Sequence, residues 1–208
     1  MRQLPNILST GRLILTIPLV VLILINTPAA YLVATGLFIV AAVSDTLDGR
    51  LARKYRLVSN LGVFLDLTAD KVFVAALLVA LVQVGLVHAW IAIVIIAREF
   101  LVAGLRSLAA AQGVVIPAGK LGKQKTLLTL CGLGGILLAR GLRGATAFPL
   151  GLASARHNPA SAADWLLVAA DVVLLWAVLW TILSAYEYLR GAWGLLTQAE
   201  GAPMERGE

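Results

Sequence analysis

Six long runs of apolar residues indicate that this 208-residue chain lies in a lipid bilayer. Each run is close to the roughly 20 residues that a helix needs to cross about 30 Å of hydrocarbon. Hydrophobic side chains make up 60% of the chain and charged ones 13%, which is far from the balance of a soluble domain. The pattern predicts an all-α, polytopic membrane protein with six transmembrane helices, at about 7–25, 29–47, 62–84, 88–110, 121–140 and 165–189.

Basic residues predict how these helices are oriented. Eight of the 17 follow the second run or lie between the fourth and fifth, at 50–56 and 106–125, and the turns after the first and third runs contain none. The positive-inside rule therefore places both termini in the cytoplasm. Three arginines disagree, because Arg140, Arg143 and Arg156 lie in a loop on the predicted outer side. We therefore attribute the net charge of +6 to the orientation of the helices in the membrane and to attraction to anionic lipids. No basic stripe alternates with aromatic residues, so we predict no nucleic-acid binding.

The chain is predicted to form one membrane-embedded domain, residues 1–193, because no polar stretch is long enough to bury a core of its own. Residues 194–208 are polar and contain glycine and proline, which predicts a disordered cytoplasmic tail. The loop 141–164 is either extramembrane or partly re-entrant. Cys131 is predicted to be a buried, inert thiol. Six aromatic residues lie mostly near the span ends, where a membrane-interface belt is predicted, with a cofactor site as a remote alternative: Trp90, Trp165, Trp180, Tyr186, Tyr188 and Trp193.

Four aspartates lie where the second apolar run ends and the third begins. Asp45 and Asp48 are three residues apart, and Asp66 and Asp70 are four apart, so each pair can share one helix face. A short connection, from about 53 to 61, would return the chain antiparallel and bring the pairs face to face. An acid inside a membrane helix costs on the order of 2.5–3.5 kcal/mol on insertion scales, so a positive partner is expected. Clustered carboxylates select hard divalent cations such as Mg²⁺ or Mn²⁺.

The aspartates have a simpler interpretation, a solvated acidic face flanked by arginine and lysine. Small residues beside them also allow two interpretations, because Gly49, Ala52 and Gly62 leave room either for a ligand or for close helix packing. Arg53 either clamps a phosphate or marks the inner membrane boundary.

Together these residues resemble a known signature. They stand in the order and spacing D-x2-D-G-x2-A-R-x8-G-x3-D-x3-D, and every fixed position is filled, from Asp45 to Asp70. The chain thereby resembles the CDP-alcohol phosphatidyltransferase family. The six predicted spans extend the resemblance over nearly the whole chain.

The resemblance implies a six-helix enzyme, usually a homodimer, in a bacterial-type inner (cell) membrane with its active site at the cytoplasmic face. Such enzymes attack CDP-diacylglycerol with an alcohol and release CMP. Two divalent cations, Mg²⁺ or Mn²⁺, are implied at the aspartates, with Asp70 also the general base. The implied site residues are Asp45, Asp48, Asp66 and Asp70 for metal, and Gly49, Ala52, Arg53 and Gly62 for the cytidine diphosphate.

A second region, residues 98–126, bears on the acceptor alcohol. Its motifs are A-R-E, which begins one residue earlier at 97, L-R at 105–106 and G-K-x-K-T at 122–126. Their order is similar to that of bacterial family members that use sn-glycerol 3-phosphate. A phosphorylated acceptor needs fixed cations, and an ordinary positive-inside loop explains Arg98 poorly because it lies well inside an apolar run. The implied phosphate-binding residues are Arg98, Arg106, Lys123 and Lys125.

Three other functions remain open at this point. The closest is the same chemistry with another acceptor, either phosphatidylglycerol, as in a cardiolipin synthase, or an inositol phosphate. A divalent-ion transporter is less compatible, because all four aspartates cluster at one membrane face. A catalytically inactive scaffold would show no metal-dependent turnover with any alcohol.

Overall fold

A computed structural model describes the backbone of residues 4–55, 60–111, 120–143 and 161–199, and the side chains of 10–44, 67–110, 122, 124–142 and 161–191. Within these ranges every regular element is a helix, which confirms the all-α prediction. The six helices are α1 (Leu4–Ile25), α2 (Pro28–Tyr55), α3 (Asn60–Gln83), α4 (Ala89–Ala111), α5 (Lys120–Arg143) and α6 (Ala162–Ala199).

The turn between α3 and α4 is fixed by a glycine in the left-handed region. Gly85 has φ 73°, and its N–H donates to the carbonyl of Val82 at 3.0 Å. The next N–H, of Leu86, donates to the carbonyl of Leu81 at 2.8 Å, and both leucines are buried. This pair of hydrogen bonds is the Schellman motif, so the sequence ends α3 where a residue without Cβ permits it.

The starts of α2 and α6 are fixed by capping side chains. Thr27 Oγ1 accepts from the N–H of Ala30 at 3.3 Å, and Pro28 occupies the first helical position, where its missing N–H costs nothing. At α6, the N–H of Asp164 donates to Ser161 Oγ at 3.3 Å and the N–H of Ser161 donates to Asp164 Oδ2 at 3.0 Å. This reciprocal arrangement is a capping box and sets the first turn of α6.

The helices pack as a closed ring in the order α1, α2, α5, α6, α4, α3, with the last helix again in contact with the first. Leucine, isoleucine and alanine fill its centre, and Leu77, Leu133 and Ile136 are wholly buried. Large apolar side chains also cover the outside, where Ile17 and Leu127 are each about two-thirds exposed. An apolar exterior of this extent suits a protein surrounded by lipid.

Two segments of the described chain have the length and hydropathy of a membrane span, Gln124–Leu142 and Ala162–Gly191. Shorter apolar helical segments run from Thr10 to Ile25 and from Pro28 to Ser44. In α3 and α4 charged side chains interrupt the apolar sequence. Together with the apolar exterior, these segments support an integral membrane protein.

Glycines on one side of α5 allow it to lie close against α6. A Cβ added at Gly132 would lie 3.1–3.2 Å from the Cβ, Cα and N atoms of Leu174, and one added at Gly135 would lie 2.8 Å from the Cβ of Ala170. Such small residues let helix backbones approach where no large side chain could fit.

We therefore expect Gly135→Ala to destabilise the protein by about 1–3 kcal/mol, because α5 and α6 must separate to admit the methyl group. Gly36→Ala in α2 is the matched control, since nothing lies within 4 Å of a Cβ there. Alanine has the higher helix propensity, so the control should be neutral or slightly stabilised. Thermal unfolding of both variants in detergent measures the difference, and equal melting temperatures would contradict this packing.

Arg140, one of the three arginines that disagree with the predicted orientation, contacts the turn between α1 and α2. Asn26, in the turn between α1 and α2, has φ 54°, and its Oδ1 accepts hydrogen bonds from Tyr31 Oη at 2.9 Å and from Arg140 Nη2 at 3.3 Å. The Arg140 guanidinium carbon also lies 5.6 Å from the centre of the buried Tyr31 ring. Arg140 thus ties the end of α5 to the α1–α2 turn.

The sequence predictions for the tail and for Cys131 differ from the structure. Helix α6 continues to Ala199, beyond the predicted start of the tail at Gly194, because the residues that follow this glycine are mostly good helix formers. Cys131 is exposed instead of buried. It shares an outward stripe of α5 with Gln124 and Leu127, and an apolar run does not reveal which face of a helix points outward. Residues 144–160 of the loop and 200–208 of the tail lie outside the described residues.

Candidate active site

The signature residues fall on the ends of two helices that adjoin in sequence. Helix α2 continues through the first half of the signature to Tyr55, and α3 begins at Asn60. Among these residues the side chain of Asp70 is described, and it lines a cavity. The others lie on helical backbone with side chains outside the described set: Asp45, Asp48, Gly49, Ala52 and Arg53 on α2, and Gly62 and Asp66 on α3.

An aromatic pair joins α2 to α3 next to these residues. The rings of Phe38 and Phe73 stack with their centres 5.8 Å apart and their planes 20° from parallel. Position 134 on α5 must be small for this, because a Cβ at Gly134 would come within 2.9 Å of the Phe38 ring. Position 45 is seven residues after Phe38, and position 66 is seven residues before Phe73. Seven residues make nearly two helical turns, so each position lies on the same helix face as its ring.

A small cavity of about 20 Å³ lies where α3, α4 and α5 meet. Its volume is near that needed for one water molecule. One end of the signature and part of the predicted acceptor region therefore line the same cavity. The lining residues are Asp70, Lys71 and Val74 from α3, Ile95 and Glu99 from α4, and Lys125, Thr126 and Thr129 from α5.

Glu99 links two of the predicted acceptor cations. Its carboxylate forms an ion pair with the Lys125 ammonium group and lies 3.6 Å from Arg98 Nη1. Both cations are deeply buried, with Lys125 4% and Arg98 8% exposed. Buried charges that lose such a partner are strongly destabilised, so Glu99 is well placed to fix both side chains.

Helix α6 supplies further contacts to the cluster of cations. Arg98 Nη2 donates to Ser184 Oγ, and Arg106 Nη2 donates to Tyr188 Oη at 3.1 Å. The guanidinium carbons of Arg98 and Arg106 lie 5.5 and 5.4 Å from the centre of the Tyr188 ring, within the range of a cation–π contact. Ser184 and Tyr188 are both buried. The structure thus brings Arg98, Arg106 and Lys125 into one contiguous cluster.

The two arginines retain hydrogen-bonding capacity. The Nε groups of Arg98 and Arg106 are buried and have no hydrogen-bond partner among the side chains and backbone that the structure describes. An unsatisfied buried donor costs about 1–3 kcal/mol, and a guanidinium matches the geometry of a phosphate. The cluster is therefore chemically suited to an anion that bears several oxygen acceptors.

The beginning of α5 lies beside this cluster. A Cβ at Gly122, in the first turn, would lie 3.9 Å from Arg98 Nη2. The N–H groups of a first helical turn carry partial positive charge and attract anions. Lys123 belongs to the same turn, and its side chain is outside the described set.

Sequence reasoning missed the contribution of α6. Trp165 and Tyr186 are exposed, as an aromatic belt requires, whereas Tyr188 is only 7% exposed and contacts two arginines. Its assignment to the belt was therefore wrong. The sequence contains no local signal that separates Tyr188 from Tyr186, because only the packing of α4 on α6 decides which tyrosine faces inward.

Within the described side chains no three histidine, cysteine, aspartate or glutamate residues form a group that could hold a metal ion. Asp45, Asp48 and Asp66 fall outside that set. The donor chemistry fits a hard divalent cation, since the signature supplies carboxylates and no sulfur or imidazole.

Comparisons with known proteins agree with the signature. The chain matches the family described as CDP-alcohol phosphatidyltransferase over residues 2–184. It is 36% identical to the CDP-diacylglycerol–glycerol-3-phosphate 3-phosphatidyltransferase of Bacillus subtilis, over 94% of this chain and 98% of the relative.

Two further relatives cover most of the chain. The protein of the same name from Rickettsia bellii is 34% identical over 90% of this chain and 94% of its own length. A probable phosphatidylglycerophosphate synthase of Mycobacterium tuberculosis is 33% identical over 91% of this chain and 81% of its own. The match and these identities confirm the resemblance, and the chain belongs to the CDP-alcohol phosphatidyltransferase family.

Proposed function

We propose that this protein transfers the phosphatidyl group of CDP-diacylglycerol to sn-glycerol 3-phosphate, giving phosphatidylglycerophosphate and CMP. The names of its relatives in Bacillus and Rickettsia support both substrates. The observation that carries the choice of acceptor is that Arg98 and Arg106 each have a buried Nε group with no hydrogen-bond partner among the described residues. A phosphate on the acceptor would offer charged oxygens to both donors, whereas an unphosphorylated alcohol would offer only neutral hydroxyl oxygens.

The four signature aspartates would hold two divalent cations, Mg²⁺ or Mn²⁺. The stacked Phe38 and Phe73 support this, because positions 45 and 66, each seven residues from one of the rings, lie on the same two helix faces as the rings. Asp48 lies one turn from position 45 on α2, and Asp70 one turn from position 66 on α3. When bound, the cations would neutralise the diphosphate and stabilise charge on the departing CMP oxygen.

In the proposed reaction the 1-hydroxyl of glycerol 3-phosphate attacks the lipid-bearing phosphorus. The bond from this phosphorus to the CMP oxygen breaks, and Asp70 accepts the hydroxyl proton. Its place in the cavity wall, next to Glu99 and Lys125, supports this role because it faces the cluster that would position the acceptor. Residues of the signature would line the cytidine diphosphate pocket: Gly49, Ala52, Arg53 and Gly62.

Arg98, Arg106, Lys123 and Lys125 would bind the acceptor phosphate. The arginines offer planar forks for two phosphate oxygens, and the lysines offer point charges. Glu99 and Ser184 would keep Arg98 in position before the acceptor arrives. A site organised before binding loses less entropy when the ligand enters.

The six helices would all span an inner (cell) membrane as a homodimer, with both termini and the active site on the cytoplasmic side. The apolar exterior of the helix ring supports the spans, and the basic turns between them support the orientation. Charged residues of the site interrupt the apolar sequence of α3 and α4. These side chains would face the interior of the helix ring and not the lipid.

An acceptor panel tests the proposed function. Purified protein is incubated with CDP-diacylglycerol and Mg²⁺ or Mn²⁺, and CMP release is measured with glycerol 3-phosphate, phosphatidylglycerol, inositol phosphate or no acceptor. We expect release to depend on glycerol 3-phosphate. Chelation by EDTA should reduce it to background, and either metal in excess should restore it, because the diphosphate needs its charge neutralised.

Other outcomes have definite meanings. Release with phosphatidylglycerol but not with glycerol 3-phosphate would replace the acceptor and leave the chemistry intact. Turnover that persists in EDTA would contradict the metal-assisted reaction. No metal-dependent release with any acceptor would indicate a transporter or an inactive scaffold.

A further inference from the structure

We infer that Tyr188 on α6 is a positioning residue that aligns Arg98 and Arg106 for the phosphate of the acceptor. The inference rests on the proposed function and assigns to α6 a part of acceptor recognition that lies outside the family signature. Tyr188 would act through the arginines, and not by contact with the reacting atoms.

The spacing of the two arginines on α4 explains why a residue is needed between their guanidinium groups. Arg98 and Arg106 are eight residues apart, so their Cα atoms are separated by about 12 Å along the helix axis. Their guanidinium groups nevertheless meet at one ring, at 5.5 and 5.4 Å from its centre. Like charges held near each other away from water repel, and the negative faces of an aromatic ring offset part of that repulsion.

The two arginines depend on Tyr188 to different degrees. Arg98 has two further partners, the Ser184 hydroxyl and the Glu99 carboxylate. For Arg106, the hydrogen bond found among the described residues is the one to Tyr188 Oη, at 3.1 Å. Loss of the tyrosine hydroxyl should therefore release Arg106 more than Arg98.

Kinetics of two variants test the inference. Tyr188→Phe removes the hydroxyl and keeps the ring, and Tyr188→Leu removes both. We expect the KM for glycerol 3-phosphate to rise about fivefold in the first and about 30-fold in the second, because a hydrogen bond and then two cation–π contacts are lost. The KM for CDP-diacylglycerol and kcat should stay within about twofold of wild type.

Tyr186 provides the matched control, two residues away on the same helix and 65% exposed. Tyr186→Phe and Tyr186→Leu should leave both KM values unchanged. A double-mutant cycle adds a readout that general destabilisation would not reproduce. If Tyr188 acts through Arg106, Tyr188→Phe should change the KM for glycerol 3-phosphate by less than about twofold in an Arg106→Ala background.

The results separate this inference from the proposed function. Wild-type protein that releases no CMP with glycerol 3-phosphate refutes the proposed function before any variant is compared. With wild-type turnover established, an equal rise of both KM values, or full additivity of Tyr188→Phe and Arg106→Ala, would overturn the role of Tyr188. If Tyr188→Leu does not fold, Tyr188→Phe and the cycle decide the question.

Discussion

Asp70→Asn should lower CMP release by about three orders of magnitude at saturating Mg²⁺ or Mn²⁺. The substitution keeps the size of the side chain but removes the charge that would hold a cation and the base that would take the acceptor proton. Loss of a general base alone typically costs 10²–10⁴-fold, and loss of a metal ligand adds to it. The measurement is kcat with both substrates saturating, on protein whose thermal unfolding is recorded in parallel.

Asp171→Asn is the matched control, because it makes the same change in another apolar helix. Asp171 lies on α6, is 9% exposed, and has a buried Oδ1 without a hydrogen-bond partner among the described residues. Replacing a buried carboxyl group whose Oδ1 lacks a partner among the described residues should not destabilise the protein, and turnover should stay near wild type. Unchanged turnover in Asp70→Asn would exclude Asp70 as base and as metal ligand.

The sequence predicts the helices and the grouping of the aspartates because both depend on local periodicity. Asp66 and Asp70 lie on one helix face wherever α3 packs, and Gly85 ends α3 through its own backbone. The position of Arg98 inside an apolar run likewise identifies it as unusual without any knowledge of its neighbours. These are features that a few consecutive residues determine.

The remaining features of the site depend on contacts between distant helices. Ser184 and Tyr188 reach Arg98 and Arg106 across more than 80 residues of chain, and nothing near them in the sequence records this. Glu99 could be seen in the sequence, but its ion pair with Lys125 requires α4 and α5 to pack side by side around the cavity. The outward orientation of Cys131 follows from the same long-range packing.

Arg98→Ala should lower kcat/KM for glycerol 3-phosphate by about 10²- to 10³-fold, the second largest effect that we predict. The guanidinium is buried among Glu99, Ser184 and the Tyr188 ring, so the acceptor phosphate would lose a charge-assisted pair in a site poor in water. Truncation also leaves Glu99 without one of its two cations. Arg98→Lys should recover only part of the loss, because an ammonium group lacks the planar fork.

Arg190→Ala removes the same charge from an exposed position on α6, near the same end of the helix ring, and should leave kcat/KM within about twofold. Initial rates at varied glycerol 3-phosphate and fixed, saturating CDP-diacylglycerol give the comparison. The KM for CDP-diacylglycerol should be nearly the same in all three variants, since Arg98 lies in the acceptor cluster. A larger effect on CDP-diacylglycerol than on glycerol 3-phosphate would instead place Arg98 at the nucleotide and require a different acceptor site.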